Sequence, residues 1–182
     1  MADSEQLGLL WDETWGIPPV GHFLRYHHPD RWVRFHSLPG SKRYAETDSE
    51  TAEILRRNHA VLDALELTNW CYVIAPRFAN EPRDVVGRPD GWRWRTIDDT
   101  DYWEEPADIC VSRVSYSSEV FDAMLRAVAD WKIADVILGP ADLRWLYHPY
   151  DGGADVIAAS SEERDRLKVE FADWLSSHPQ GL

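Results

Sequence analysis

LRWLYHPYDGGADVIA, residues Leu143–Ala158, reads as two short strands folded back on each other. Trp145, Leu146 and Tyr147 favour a pleated strand, and so do Val156 and Ile157. Pro149-Tyr150-Asp151-Gly152-Gly153 lies between them. Asp before Gly is a strong hairpin signal, and glycine supplies positive φ without steric cost. The turn is therefore expected at Asp151-Gly152-Gly153. Pro149 has no backbone donor, which places it at a strand end or on an edge. Asp155 is expected to hydrogen-bond the turn backbone, as Asx side chains commonly do. The functional alternative makes His148, Asp151 and Asp155 a small polar site.

Outward from the hairpin, helices and strands alternate irregularly. Residues 4–15 read as a helix: Ser4 can cap it, and Leu7, Leu10, Trp11 and Trp15 recur at helical spacing. Gly16 and Pro18-Pro19 end it. Two strands follow, Gly21–Tyr26 and Trp32–Ser37, around a turn at His28-Pro29-Asp30. In the second, Trp32, Arg34 and His36 point one way and Val33 and Phe35 the other. Residues 47–66 form a helix opened by a capping box, Thr47 with Glu50. Its apolar stripe is Ile54, Leu55, Val61, Leu62 and Leu65, and Glu53 with Arg57 is an i,i+4 pair.

Residues 70–76, WCYVIAP, are almost continuously apolar and read as a central strand. Residues 77–91 are mostly loop. Trp92–Ile97 reads as a half-exposed strand, residues 98–105 as an acidic loop, and Ile109–Tyr116 as a further strand. A helix is expected over 117–131, capped by Ser117 or Ser118, and a strand over Ile133–Leu138. After the hairpin, Ser160 and Glu163 make another capping box. The last helix buries Leu167, Phe171, Trp174 and Leu175 and ends before Pro179. This order predicts one α+β domain over 1–182, with residues 1–19 as an N-terminal helix and a Pro-rich connection. Its single antiparallel or mixed sheet carries helices mainly on one face.

The composition is ordinary for a soluble globular chain, with 44% hydrophobic and 28% charged residues. Its ten tryptophans are not ordinary: so many cannot all be hidden in 182 residues, so some are expected at the surface. The formal charge of −13 argues against sequence-independent binding to nucleic acid or to an anionic membrane. No stretch approaches the roughly 18 apolar residues of a membrane span. Residues 1–15 carry four acids and no basic leader, so the expected location is cytoplasmic. Cys71 and Cys110 sit in apolar runs and are expected as buried thiols.

Several stretches resemble a family of bacterial proteins that carry a domain of unknown function. They are WVRF at Trp32–Phe35, the helix from Thr47, the strand CYVIAP and the closing LRWLYHPYDGGADVIAAS. That family has an IRFEL-like strand early and a YDDRG-x-D-V/I hairpin before its last helix. Tyr150, Asp151, Gly153, Asp155 and Val156 match the hairpin. Gly152 stands where Arg is usual, and His36 where an acid is usual. The resemblance implies a fold and no activity. Proteins of this size and composition also include immunity proteins that act beside bacterial toxins, which adds an immunity-type binding protein to the readings.

Three stretches are candidate sites. His22–Tyr44 holds Arg25, Arg31, Arg34, Lys42 and Arg43 against one acid, Asp30, with His22, His27, His28 and His36 among them. Arg25, Arg34, His36, Lys42 and Arg43 are candidates for an anion site, because guanidinium forks and ammonium groups meet carboxylate or phosphate. Their bland alternative is pairing with acids elsewhere. No metal ligand set is assigned. Trp92-Arg93-Trp94-Arg95 puts two indoles on one strand face, where packing on a helix is favoured over stacking on a ligand. In the acidic loop, Asp98, Asp99, Asp101 and Glu104 surround Tyr102 and Trp103. Charge there would steer a basic partner, and the aromatics would anchor it.

The sequence has no Gly-x-Ser-x-Gly, phosphate loop, HExxH or CxxC, which favours a binding protein without a cofactor over an enzyme. The first reading is thus a protein, of immunity type among others, that meets a basic protein partner through its acidic and aromatic surface. The alternative is a small-molecule anion-binding protein or enzyme with its site in 22–44. A third is a homo-oligomer joined through surplus tryptophans. A convex surface exposing Tyr102 and Trp103 would favour the first, and a cleft where Arg25, Arg34 and His36 converge the second.

Overall fold

In the computed structural model, which describes residues 2–81 and 91–176, the hairpin forms as strands β6 (Leu146–Tyr150) and β7 (Gly153–Ile157). Asp151 and Gly152 alone make the turn, because Tyr150 already pairs with Gly153. Neither glycine takes a positive φ. Gly153 is required for a different reason: a Cβ there would collide with the Phe35 carbonyl of the neighbouring strand. The glycine lets two backbones approach closely, which any side chain prevents.

The remaining elements are helices α1 (Ala2–Thr14), α2 (Leu24–His27), α3 (Asp48–Ala64), α4 (Glu119–Ala129) and α5 (Ser161–Glu170), and strands β1 (Trp32–His36), β2 (Trp70–Phe78), β3 (Trp92–Ile97), β4 (Ala107–Ser115) and β5 (Ile137–Gly139). The strands form one seven-stranded sheet in the order β1-β7-β6-β5-β2-β4-β3. All its pairings are antiparallel. The fold is α+β. Helix starts follow capping chemistry: the Thr47, Ser118 and Ser160 hydroxyls accept from the backbone N–H groups of Glu50, Phe121 and Glu163. The Glu163 carboxylate reaches back to the Ala159 N–H at 2.8 Å. Glu53 pairs with Arg57 at 2.7 Å.

The sheet separates two cores. On one face α3, α4 and α5 contribute Leu62, Phe121, Met124 and Leu167 against Val33, Phe35, Val73, Leu138, Tyr147 and Val156. On the other, α1 and the following segment contribute Leu7, Trp11, Trp15, Val20 and Leu24 against Ile74, Ile109, Ile137, Leu146 and Ile157. Three helices thus share one face, while α1 and α2 cover the other. The indoles of Trp11 and Trp15 donate to the carbonyls of Ile17 and Leu143, so their burial leaves no orphaned donor. Trp94 packs edge-on against Trp11, and Arg95 lies over the Trp94 ring at 3.9 Å. A register shift between Arg93 and Arg95 breaks the simple alternation expected there.

Two expected strands are corrected. Gly21–Tyr26 is not extended: Gly21–Phe23 is a 3₁₀ turn that runs directly into α2. Gly21 lies against the His148 ring, where a Cβ would clash, and the chain coils away from the sheet. The strand expected over Ile133–Leu138 begins only at Ile137. Before it, Asp135 sits at φ 53°, which is incompatible with a strand.

The last helix stops at Glu170. A 3₁₀ turn, Ala172–Trp174, follows, and Leu175 bridges to Phe35 at the outer edge of β1. Most of the loop expected over 77–91, and the helix end expected at Pro179, lie outside the described residues. Cys71 and Cys110 are both buried, and burial pushes the Cys71 thiol up to about 12. Among the described residues, no helix is long and apolar enough to cross a membrane.

Candidate functional site

Strand β5 is short, and this opens the sheet. Its registered contact with β6 is Leu138 opposite Tyr147. Continued in register, Pro149 would face Val136, which lies outside β5 and would find no donor on the proline. The chain separates there, between residues 133–136 and the end of β6. The result is a cavity of about 250 Å³, lined by His22, Arg25, Arg34, Arg43, Val128, Trp131, Ile133, Ala134, Asp135, His148, Tyr150, Asp151 and Asp155.

Strand periodicity supplies its floor. Arg34 on β1, Asp155 on β7 and His148 on β6 are direct cross-strand neighbours. They share the sheet face that carries Trp32, Leu146 and Ile157 one row earlier, because side chains two apart point the same way. The apolar core of that face therefore ends in a polar row. Arg34 holds Asp155 through two bonds, Nε to Oδ1 at 2.7 Å and Nη2 to Oδ2 at 2.8 Å. Asp155 is 3% exposed and does not bond the turn, contrary to expectation, because the guanidinium fork opposite occupies both its oxygens. Arg43 grips buried Asp151 in the same way, at 2.5 and 3.2 Å.

Two histidines are fixed through Nδ1. His148 Nδ1 lies 2.9 Å from the Val136 carbonyl. A carbonyl only accepts, so Nδ1 carries the proton and Nε2 of the neutral ring is left as an acceptor. His22 Nδ1 lies 2.6 Å from Asp135 Oδ1, whose carboxylate also accepts from the His22 backbone N–H at 3.2 Å and from Trp103 Nε1 at 2.9 Å. Burial opposes ionisation of Asp135, but the His22 bond, His148 and Trp103 outweigh it and hold the carboxyl below the usual range.

Arg25 differs from the other two arginines. Its Nη2 donates to the Tyr26 hydroxyl at 2.6 Å, and its Nε is buried without a hydrogen-bond partner. Among the described residues it has no carboxylate partner. The cavity thus holds two guanidiniums paired with carboxylates and a third, Arg25, that is not, while Asp135 is held by His22 and Trp103 instead. Val128, Trp131, Ile133, Ala134 and Tyr150 supply its apolar lining.

Of the five residues read as an anion site, Arg25, Arg34 and Arg43 converge. Lys42 is engaged by Glu50 and Glu46 at 2.7 and 3.0 Å. His36 does not line the cavity. Its Nε2 is buried without a partner, and burial together with Arg34 and Arg57 lowers its pKa. In the acidic loop, the side chains of Asp98, Asp99, Asp101 and Glu104 are exposed. Tyr102 and Trp103 turn inward: Tyr102 packs edge-on to Phe23 at 4.8 Å and Trp103 to Phe78 at 5.6 Å.

Sequence reasoning passed over Trp131, Asp135 and Tyr150 as parts of a site, and took His22 only as one of a histidine group. The alternation of Trp32, Arg34 and His36 was the usable signal, since it placed a cation in an apolar row. Among the described residues, no group of His, Cys, Asp and Glu has the arrangement of a metal site. No curated protein and no solved structure matches the chain. A family described as a domain of unknown function, DUF3885, matches residues 20–179, which include every residue that lines the cavity.

Proposed function

The chain belongs to the DUF3885 family, and from the cavity its fold builds we propose that it binds a small organic anion. One observation carries this reading: Arg25 lines an apolar-walled cavity, no carboxylate among the described residues bonds it, and its Nε is buried without a hydrogen-bond partner. A buried N–H without an acceptor is costly, and a bound anion supplies the acceptor that Nε lacks. Arg34 and Arg43 support the reading, because each uses Nε and Nη2 on its aspartate and keeps Nη1 outside those bonds. The size fits as well: about 250 Å³ lies near the lower end of small-molecule sites.

Isothermal titration with acetate, benzoate and inorganic phosphate tests this directly. At least one anion is expected to bind saturably to the wild type, and Arg25→Gln is expected to weaken it tenfold or more. If none of the three binds, or if Arg25→Gln binds as the wild type does, the reading is wrong.

A basic protein partner at the acidic loop is the second reading, favoured by the exposed carboxylates of Asp98, Asp99, Asp101 and Glu104. Its aromatic anchors, Tyr102 and Trp103, are half-buried against Phe23 and Phe78 and present their remaining surface beside those acids. Salt-sensitive capture of a basic protein from cytosol, lost when those four acids are neutralised, would support it. Capture unaffected by that change would remove it.

A further inference from the structure

We propose that the anion is an aromatic monocarboxylate of about one or two rings, held by Arg25 and stacked on Trp131. This rests on the anion-pocket reading and narrows it to a chemical class.

The charge balance sets the valence. Three arginines and three aspartates line the cavity. Two of the arginines already grip carboxylates bidentately, and Asp135 is held ionised by His22 and Trp103. What remains is one open guanidinium, that of Arg25, and one carboxylate without an arginine, that of Asp135. A dianionic phosphate would bring its second charge toward three ionised carboxylates. A monoanion meets the one open guanidinium and no more.

The body of the ligand follows from the walls and rim. Trp131, 60% exposed, lines the cavity, and Tyr26 and Tyr44, 63% and 48% exposed, are reached by its arginines. Each ring has a pocket guanidinium over it, Arg25 on Tyr26 at 4.7 Å and Arg43 on Tyr44 and Trp131 at 5.5 and 5.9 Å. Exposed rings held in place by cations form a platform for another flat ring. The capacity is right for one: 250 Å³ corresponds to about eight waters at about 30 Å³ each, the space of a small aromatic acid.

Trp131 is placed by a helix-ending motif. Its N–H donates to the Val128 carbonyl and the Lys132 N–H to that of Ala127, the paired bonds that close a helix with a left-handed residue. That residue is usually glycine, and here it is tryptophan at φ 58°. Helix α3 ends in the same way at Glu66, so the motif itself is structural. What α4 adds is an exposed indole, in an unfavourable backbone conformation, at the mouth of the cavity.

Trp131→Gly separates fold from binding. Glycine suits the left-handed position, so this variant is expected to melt at or above the wild-type temperature. Titration of both proteins with benzoate, indole-3-acetate, acetate, benzyl alcohol and phenyl phosphate then tests the proposal. Benzoate or indole-3-acetate is expected to bind at least tenfold more tightly than acetate, benzyl alcohol and phenyl phosphate. Trp131→Gly is expected to remove that advantage and leave acetate unchanged. Equal binding of acetate and the aromatic acids, or indifference to Trp131→Gly, overturns the ring and leaves the anion reading standing. Tighter phenyl phosphate overturns the single charge. Absence of binding by every anion overturns both readings.

Discussion

Arg34 and Asp155 face each other across β1 and β7 with side chains 13% and 3% exposed. Neither charge can return to water when its partner is removed. Asp155→Ala is therefore expected to destabilise the fold by about 3–5 kcal/mol, the range for leaving a buried charge unpaired. Replacing both at once, as Arg34→Met with Asp155→Leu, is expected to cost much less, because two apolar side chains need no partner. Urea unfolding of the two variants measures the difference, and equal losses would show that the pair acts through shape. If the double variant is nearly as stable as the wild type, the pair exists for the cavity it lines. That interpretation agrees with its position at the end of an apolar row, where a Val–Leu pair would have continued the core.

At the level of elements, α1 packs on one face of the sheet although it lies before the family-matched segment, which begins at residue 20. Trp11 is completely buried there and donates to the Ile17 carbonyl at 2.6 Å. Trp11→Ala is expected to cost about 3–5 kcal/mol, as large aromatic truncations in cores do. A loss below about 1 kcal/mol by chemical denaturation would make α1 an appendage rather than part of the core. The helix was legible in the sequence because Leu7, Trp11 and Trp15 keep helical spacing over about two turns. The hairpin and α3 were legible for similar reasons, through strand-forming residues around Asp-Gly and a capped apolar stripe. Gly21–Tyr26 was misread because a six-residue run with mixed polarity satisfies either period. What decided it was a distant contact, the His148 ring against Gly21, and no local pattern carries that. The cavity was half legible for the same reason. Arg25, Arg34 and Arg43 stood out as an excess of charge in one segment. Asp135, Trp131 and Tyr150 come from chain more than 80 residues away, and only the early end of β5 brings them together.

For the whole molecule, acid is the informative perturbation. His28 lies against Trp15 at 5.1 Å with its Nε2 buried and unpartnered. Burial, followed by Arg31 and His27, holds its pKa below the ordinary 6.5, with Asp30 opposing. His36 is lowered too, first by burial and then by Arg34 and Arg57, although the Gly152 backbone opposes it. In both cases the unfolded chain binds a proton that the folded chain refuses. Their contribution is thus complete above pH 6.5 and is lost as pH falls through the folded-state values. The carboxylates act in the same direction at lower pH. Arg56 first, with Arg57, holds Glu53 at about 2 against the opposing effect of burial, so its contribution is lost between about pH 4.5 and 2. A net charge of −13 works the other way, because protonation relieves self-repulsion, but few carboxylates titrate above pH 5.5. In salt near 0.15 M, with screening over about 8 Å, the long-range effect is further reduced. The melting temperature is therefore expected to fall between pH 7 and 5.5, and to fall less in a His28→Phe, His36→Phe double variant. A temperature that stays level or rises over that interval would mean that charge relief outweighs the two half-buried imidazoles.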